Sequence, residues 1–298
     1  MKPQFDNKVM SSFFLWFDNK LLKKGEAFEN VTGQFYDSSV EYQGYSTYSS
    51  SYSQLVADAS ITGATIPTGL YVGDNLVNVS EGGSDGLFAI NYNEGRAYFS
   101  GDQSSDVTGS FAIKDFNVFL TNQPEDKILF ETKYTERTKT DIRPTGLASD
   151  TKTYPVVYLK NMGTANQPIA FGGQDQTSVN IRAIVLAQSQ FELDAVGSIF
   201  RDTQKTLVPL FDEDEMPFNS FGGYKDGDQY NFSTSTTSKG SQNSCFIEEV
   251  FVSNLERGVQ SRIRDLNPDI FTIPPSGAKF PFNPTTPPVG DKGLLYAL

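Results

Sequence analysis

The side chains with the most chemical capacity in this sequence are carboxylates. Asp212-Glu213-Asp214-Glu215 is the densest acidic run, and its oxygens could serve a hard cation such as calcium or magnesium. Four adjacent carboxylates repel one another and point in different directions, so a solvated loop is the plainer reading. Asp226-Gly227-Asp228 shares part of a calcium loop's spacing but lacks the later acidic residue that would complete it, and reads as a turn. A carboxylate-based hydrolase needs two carboxyl groups converging in a cleft, about 5 to 10 Å apart in a glycosidase. The sequence names no such pair. Gly172-Gly173 and Gly222-Gly223 lie outside any strand, loop and lysine-bearing helix context, so neither reads as a phosphate cradle.

The chain has no histidine, and Cys245 is its single cysteine. That removes Ser-His-Asp and Cys-His catalysis, imidazole acid–base work and histidine metal ligation. A lone cysteine makes no internal disulfide and no zinc cluster. The expectation is a protein that is not an enzyme, with no catalytic residues and no cofactor. The only metal candidate is the 212–215 run. A formal charge of −12 argues against stable nucleic-acid binding, because phosphate contacts need clustered Lys and Arg. The run Phe13-Phe14-Leu15-Trp16-Phe17 is closed by Asp18 and Asn19 and is too short to span a bilayer. It also lacks a cleavage site, so no signal peptide and no membrane association are expected.

The elements that must position these residues fall into distinct textures. Residues 9–24 fit a helix with Met10, Phe13, Phe14, Phe17 and Leu21 on one side, lysines in its last turn and Gly25 beyond. A strand through 12–17 would account for the same apolar run. From 34 to 122 the chain is rich in Ser, Tyr, Gly and Thr, with short apolar runs punctuated by turn residues, the pattern of an antiparallel sandwich or barrel. Ile90-Asn91-Tyr92 and Arg96-Ala97-Tyr98-Phe99 across Asn93-Glu94-Gly95 read as a hairpin.

Strand patterns then follow at Tyr154-Pro-Val-Val-Tyr-Leu and Val179-Asn-Ile-Arg-Ala-Ile-Val-Leu-Ala. They lead into a helix opened by a capping box, Ser189 with Glu192 three residues on. Leu193, Val196, Phe200 and Leu207 give that helix a buried stripe, with Ile199 beside them and Pro209 as its stop. Phe246–Leu255 is a further strand candidate, and Ile128–Tyr134 a strand returning the chain to this core. From Pro268 onward the prolines, among them Pro274-Pro275 and Pro287-Pro288, predict an extended arm bearing Phe280, Phe282 and Tyr296.

The β-β-α-β pattern of 154–255 resembles the fold of phage tail-terminator and tail-completion proteins. The run Ile90 to Phe99 with Gly109 to Phe119 is similar to small β domains of phage virion proteins, although a plain hairpin and strand explain it equally. The resemblance rests on Tyr154–Leu159, Pro168-Ile-Ala-Phe-Gly-Gly, Asn180–Leu186 and the Ser189–Leu207 helix. It implies an α+β protein with a tail-terminator-like α-β-β-α-β core sheet, an inserted antiparallel β-rich domain and an extended Pro-rich C-terminal arm. The corresponding divisions are 1–33 for the N-terminal helix of the core, 34–122 for the inserted β-sandwich-like domain, 123–267 for the α+β core and 268–298 for the arm.

What the resemblance implies for function is a virion structural protein of the head–tail junction, a terminator- or neck-like ring subunit assembled in the host cytoplasm. Its partners would be further copies of itself, in a ring of six to match a tail, and tail, sheath or connector proteins. DNA would pass through the lumen without sticking to its acidic wall. Phe171, Arg182, Arg201, Phe280, Phe282 and Tyr296 are the candidates for inter-subunit contact. Collar, tail and baseplate roles stay open. So does a receptor- or carbohydrate-binding protein presenting aromatic platforms from the Tyr-rich 34–55 segment.

Overall fold

The computed structural model describes residues 5–79, 86–131, 152–168, 175–225, 229–237, 239, 243–253 and 266–279. Helix α1 (Phe5–Lys24) starts four residues before the expected Val9 and ends as anticipated at Gly25, whose amide donates to the Leu21 carbonyl at 2.9 Å. Its apolar residues occur all around the helix, and Phe5, Val9, Phe13, Leu15, Trp16, Phe17, Leu21 and Leu22 are all buried. A helix apolar on every side is a core helix enclosed by the rest of the fold. Here that enclosure comes from the second sheet and from α3, described below.

The 28–114 region forms a seven-stranded antiparallel sheet in the order β4-β3-β7-β1-β2-β6-β5. Its strands are β1 (Phe28–Tyr42), β2 (Tyr45–Ser50), β3 (Gly69–Val72), β4 (Asn75–Asn78), β5 (Leu87–Asn91), β6 (Arg96–Phe99) and β7 (Val107–Lys114). The expected hairpin across Gly95 is β5–β6. Long β1 pairs with β7 through its first half and with β2 through its second. Gln54–Val56 then bonds to β7 at Ala112 and Lys114 on one side and, through Leu55, to Tyr92 just past β5 on the other. That segment joins the margins of the five-strand path β7-β1-β2-β6-β5 and curls it toward closure around Phe35, Leu55, Ile90, Phe99 and Phe111.

The second sheet contains β8 (Asn117–Leu120), β9 (Val156–Pro168), β10 (Asp175–Ala187), β11 (Thr206–Pro209), β12 (Ser244–Ile247), β13 (Phe251–Ser253), β14 (Asn267–Ile273) and β15 (Pro275–Lys279). Strand β10 is central, flanked by β9 on one side and by the consecutive β14 and β15 on the other. Beyond them, β13 pairs with β14 and β12 with β15, and β11 closes that margin. Every pairing is antiparallel except β8–β9. Alternation along β10 sends Val179, Ile181, Ala183 and Val185 toward α1 and α3, and Ile184 and Leu186 to the opposite face.

Four expectations are corrected. The strand expected over Ile128–Tyr134 is helix as far as residue 131: α2 (Glu125–Glu131) buries Ile128 and Leu129 on the second sheet, and 132–134 lie outside the described residues. A three-residue apolar run has no period of its own, whereas Pro124 followed by Glu125 and Asp126 is a helix start. Helix α3 (Gln190–Arg201) ends before Leu207, which stands half-exposed on β11. Phe246–Leu255 is divided into β12 and β13 by residues 248–250, although both pieces lie along β14–β15. Residues 267–279, assigned from Pro268 onward to the arm, are core strands. Their prolines fall at Pro268, Pro274 and Pro275, where the strand starts or breaks.

Candidate functional site

The acidic run does not converge on a common point. Glu213–Glu215 is a short 3-10 turn. The Asp212 carboxylate pairs with Lys8 of α1, and Glu215 accepts from both the Asp212 amide and Lys239. Burial opposes ionisation of Glu215, but the Asp212 amide and Lys239 outweigh it and hold the carboxyl below its ordinary value. These carboxylates act as pins between distant segments. Among the described residues no group of three or more His, Cys, Asp or Glu side chains could hold a metal ion. Asp226–Asp228 lies outside the described residues.

Of the contact candidates, Arg182 forms an ion pair with Glu125 of α2 inside the chain. Arg201 donates to the Gly197 carbonyl at 3.2 Å. Phe171, Phe280, Phe282 and Tyr296 lie outside the described residues. Cys245 is buried, and burial pushes its thiol up to about 12, leaving it without thiolate character.

Sequence reasoning missed a buried polar knot. Asp58 accepts from Asn19 of α1 at 2.7 Å, from the Ser60 amide at 2.9 Å and from the Phe232 amide at 2.9 Å. Beside it, Asp18 bonds Lys114 of β7 at 2.6 Å. Burial raises the Asp18 carboxyl above its ordinary value, Lys114 opposes the shift and Asp58 adds to it. The knot fastens α1 to the first sheet and to α4 (Phe232–Thr237). None of these side chains lines the clefts beside Phe88, Met10 or Glu249, and their bonds between separate segments hold the fold. The available signal was Asp58-Ala59-Ser60 directly after the apolar Leu55-Val56-Ala57, an Asx turn at the end of a buried run.

Among the described residues, three surfaces bear on recognition. The first is an aromatic cluster on β1, β2, β5 and β6: Phe221 stands edge-on to Tyr42, Tyr45, Phe88 and Tyr98 at 4.8–5.6 Å. Gly222, with φ +73°, lets the 219–224 loop press on β5, because a Cβ there would lie 2.4 Å from Asn91 Oδ1. Phe88 also lines a cleft of about 290 Å³ with Asn78, Asn219 and Gln229, whose lining carries no charged side chain.

The second surface is the outer face of the second sheet, where Leu207, Phe246 and Phe251 are exposed. The third is the margin of β9. Its partner β8 ends at Leu120, opposite Leu159, and from Asn161 to Pro168 every residue is exposed, with β10 as the only strand partner among the described residues. A bulge at Met162-Gly163, opposite Asn180, lies just beyond the last residue paired with β8. Beside this edge runs an open groove of about 470 Å³ lined by Met10, Ser11, Leu120, Leu159 and Asn161. The first turn of α1 reaches the same edge, where the Thr164 hydroxyl donates to Asp6.

No protein-family model matches the chain, and comparison with the curated proteins gives no match.

Proposed function

We propose that this chain is a structural subunit of a tailed-phage virion, acting at the head–tail junction as a terminator- or neck-like ring protein. The observation that carries the reading is the β9–β10 hairpin. Its inner half is core; in its outer half β10 stays paired with β15 and buries Thr177 and Val179, whereas β9 leaves eight residues exposed in succession. Such an exposed strand margin offers a surface for heterologous contact, the kind from which rings are built. The capped β-β-α order of β9, β10 and α3 supports the resemblance that the sequence suggests. Exposed Leu207, Phe246 and Phe251 supply a second apolar contact surface. Collar, tail or baseplate stations would use the same surfaces.

Sedimentation and negative-stain microscopy of the purified chain at increasing concentration test the reading. Closed rings, hexameric to match a tail, are the expected result. A strict monomer at high concentration that co-purifies with no virion particle would sink it.

A receptor- or saccharide-binding role is the second reading, favoured by the Phe88 cleft, whose aromatic and amide lining suits a neutral, hydroxyl-rich ligand. Saturation-transfer NMR with neutral oligosaccharides, comparing the protein with its Phe88→Ser variant, decides it. Transfer that is lost in the variant supports the role, and no transfer to the unaltered protein dismisses it.

A further inference from the structure

We propose that the open edge of β9 seats an added strand, and that this strand is Phe280–Asn283 of a neighbouring copy of the chain. The inference rests on the ring reading, because it supplies the contact through which copies would join.

The edge itself is the first ground. Backbone N–H and C=O groups along an unpaired strand are a template for another chain, and proteins ordinarily blunt such edges with charged side chains. From Asn161 to Pro168 there is no charged residue. The groove between α1 and the end of β8 adjoins this edge at Asn161 and has Met10 and Leu120 among its apolar lining.

The second ground is the character of the sequence beyond Lys279. Its only charged side chains are Asp291 and Lys292. In a chain of net charge −12, such a segment approaches a second copy without the repulsion that the rest of the chain would meet. Phe280 and Phe282 flank Pro281, and successive residues of a strand direct their backbone groups to opposite edges. In the proposed strand the amides of both phenylalanines would face one side, and proline's missing donor would fall on the other. That arrangement fits an outermost strand, the place in a sheet where proline is tolerated.

Geometry decides between the chain's own edge and a neighbour's. Strand β15 ends at Lys279, opposite Asp175 of β10, which in turn faces Pro168 of β9. A strand added outside β9 lies three strand spacings from β15, about 14 Å. Phe280 to Phe282 cover only about 10 Å even when fully extended, and they must run along the edge rather than across the sheet. A chain continuing from Lys279 therefore cannot lay Phe280–Asn283 along its own β9, whereas the edge of a neighbouring copy is free of that constraint.

The test uses full-length chain carrying a photo-crosslinking amino acid in place of Phe282, mixed with a truncated chain ending at Lys279 that is distinguishable by mass. Crosslinks from position 282 to residues 161–168 of the truncated chain are expected. Amide exchange at 161–168 should also slow at least about tenfold on assembly of the unaltered protein. Ala165→Lys in the full chain places a charge on an exposed position of the edge and should abolish both signals while leaving the thermal midpoint unchanged. Crosslinks confined to the same chain, crosslinks to another surface, or unprotected 161–168 amides in assembled material would each overturn the proposal. Rings seen by microscopy alongside those outcomes would leave the ring reading standing and remove this contact alone. Absence of rings together with the expected crosslink would do the reverse.

Discussion

Lys114 and Asp18 form the most deeply placed ion pair among the described residues, with side chains 4% and 15% exposed. Lys114→Met leaves the Asp18 carboxylate without its cation and should cost about 3 kcal/mol at neutral pH. Burial already lifts the folded-state value of Asp18 above 3.8, and loss of the cation lifts it further. A group raised on folding favours the native state most when protonated in both states, and that contribution is lost as pH rises through its folded value. The variant's deficit should therefore shrink as pH is lowered toward 3.8, which urea midpoints across pH will show. A deficit independent of pH would mean that Lys114 acts through packing alone. None of this was legible beforehand, because residues 18, 58 and 114 are brought together only by the docking of α1 on the first sheet.

At the scale of single elements, α3 is the clearest case of local determination. Ser189 and Glu192 form the reciprocal cap that their spacing predicts. Ser189→Ala should lower stability by about 1 kcal/mol, whereas Phe191→Ser, on a ring 83% exposed, should change it by less than about 0.5 kcal/mol. Thermal melts of the two variants separate cap from surface. The β5–β6 turn makes a sharper demand. Gly95 has φ +62°, and a Cβ there would lie 1.9 Å from the Tyr52 carbonyl oxygen. Gly95→Ala should detach the 50–56 segment from the turn, and amide exchange at Ser50, which donates to the Gly95 carbonyl at 2.8 Å, is the direct readout. The turn was legible as Asn93-Glu94-Gly95. The helical state of Ile128 was not, since three apolar residues serve a helix turn as well as a strand.

Across the whole molecule, a column of rings ties the layers of the second sheet together. Phe17 of α1 stacks on Phe200 of α3 at 4.3 Å, and Phe200 stacks on Phe271 of β14 at 4.7 Å. Phe200→Ala opens a cavity at the centre of that column and should cost about 3 to 5 kcal/mol. Because the ring is shared, α1 and α3 should lose exchange protection together. Loss confined to α3 would show that the helices are held independently. The ring assembly proposed for the chain draws on the opposite face and on the margin of β9, so the core variant should weaken stability before it alters any contact between copies.

Local chemistry was enough for the glycine stop of α1, the β5–β6 hairpin, the β9 and β10 patterns and the capped start of α3. Each follows from side-chain periodicity or a turn residue acting within about a dozen positions. Tertiary structure alone decided that 267–279 is core rather than arm, because a proline-bearing segment becomes a strand only when β10 presents a partner edge. It also decided that Arg182 is spent on Glu125 and that Asp212 and Glu215 pin distant lysines instead of gathering around an ion. The open margin of β9 belongs to the same class. Whether a strand edge is paired depends on where its neighbour stops, and β8 stops at Leu120, some forty residues earlier in the chain.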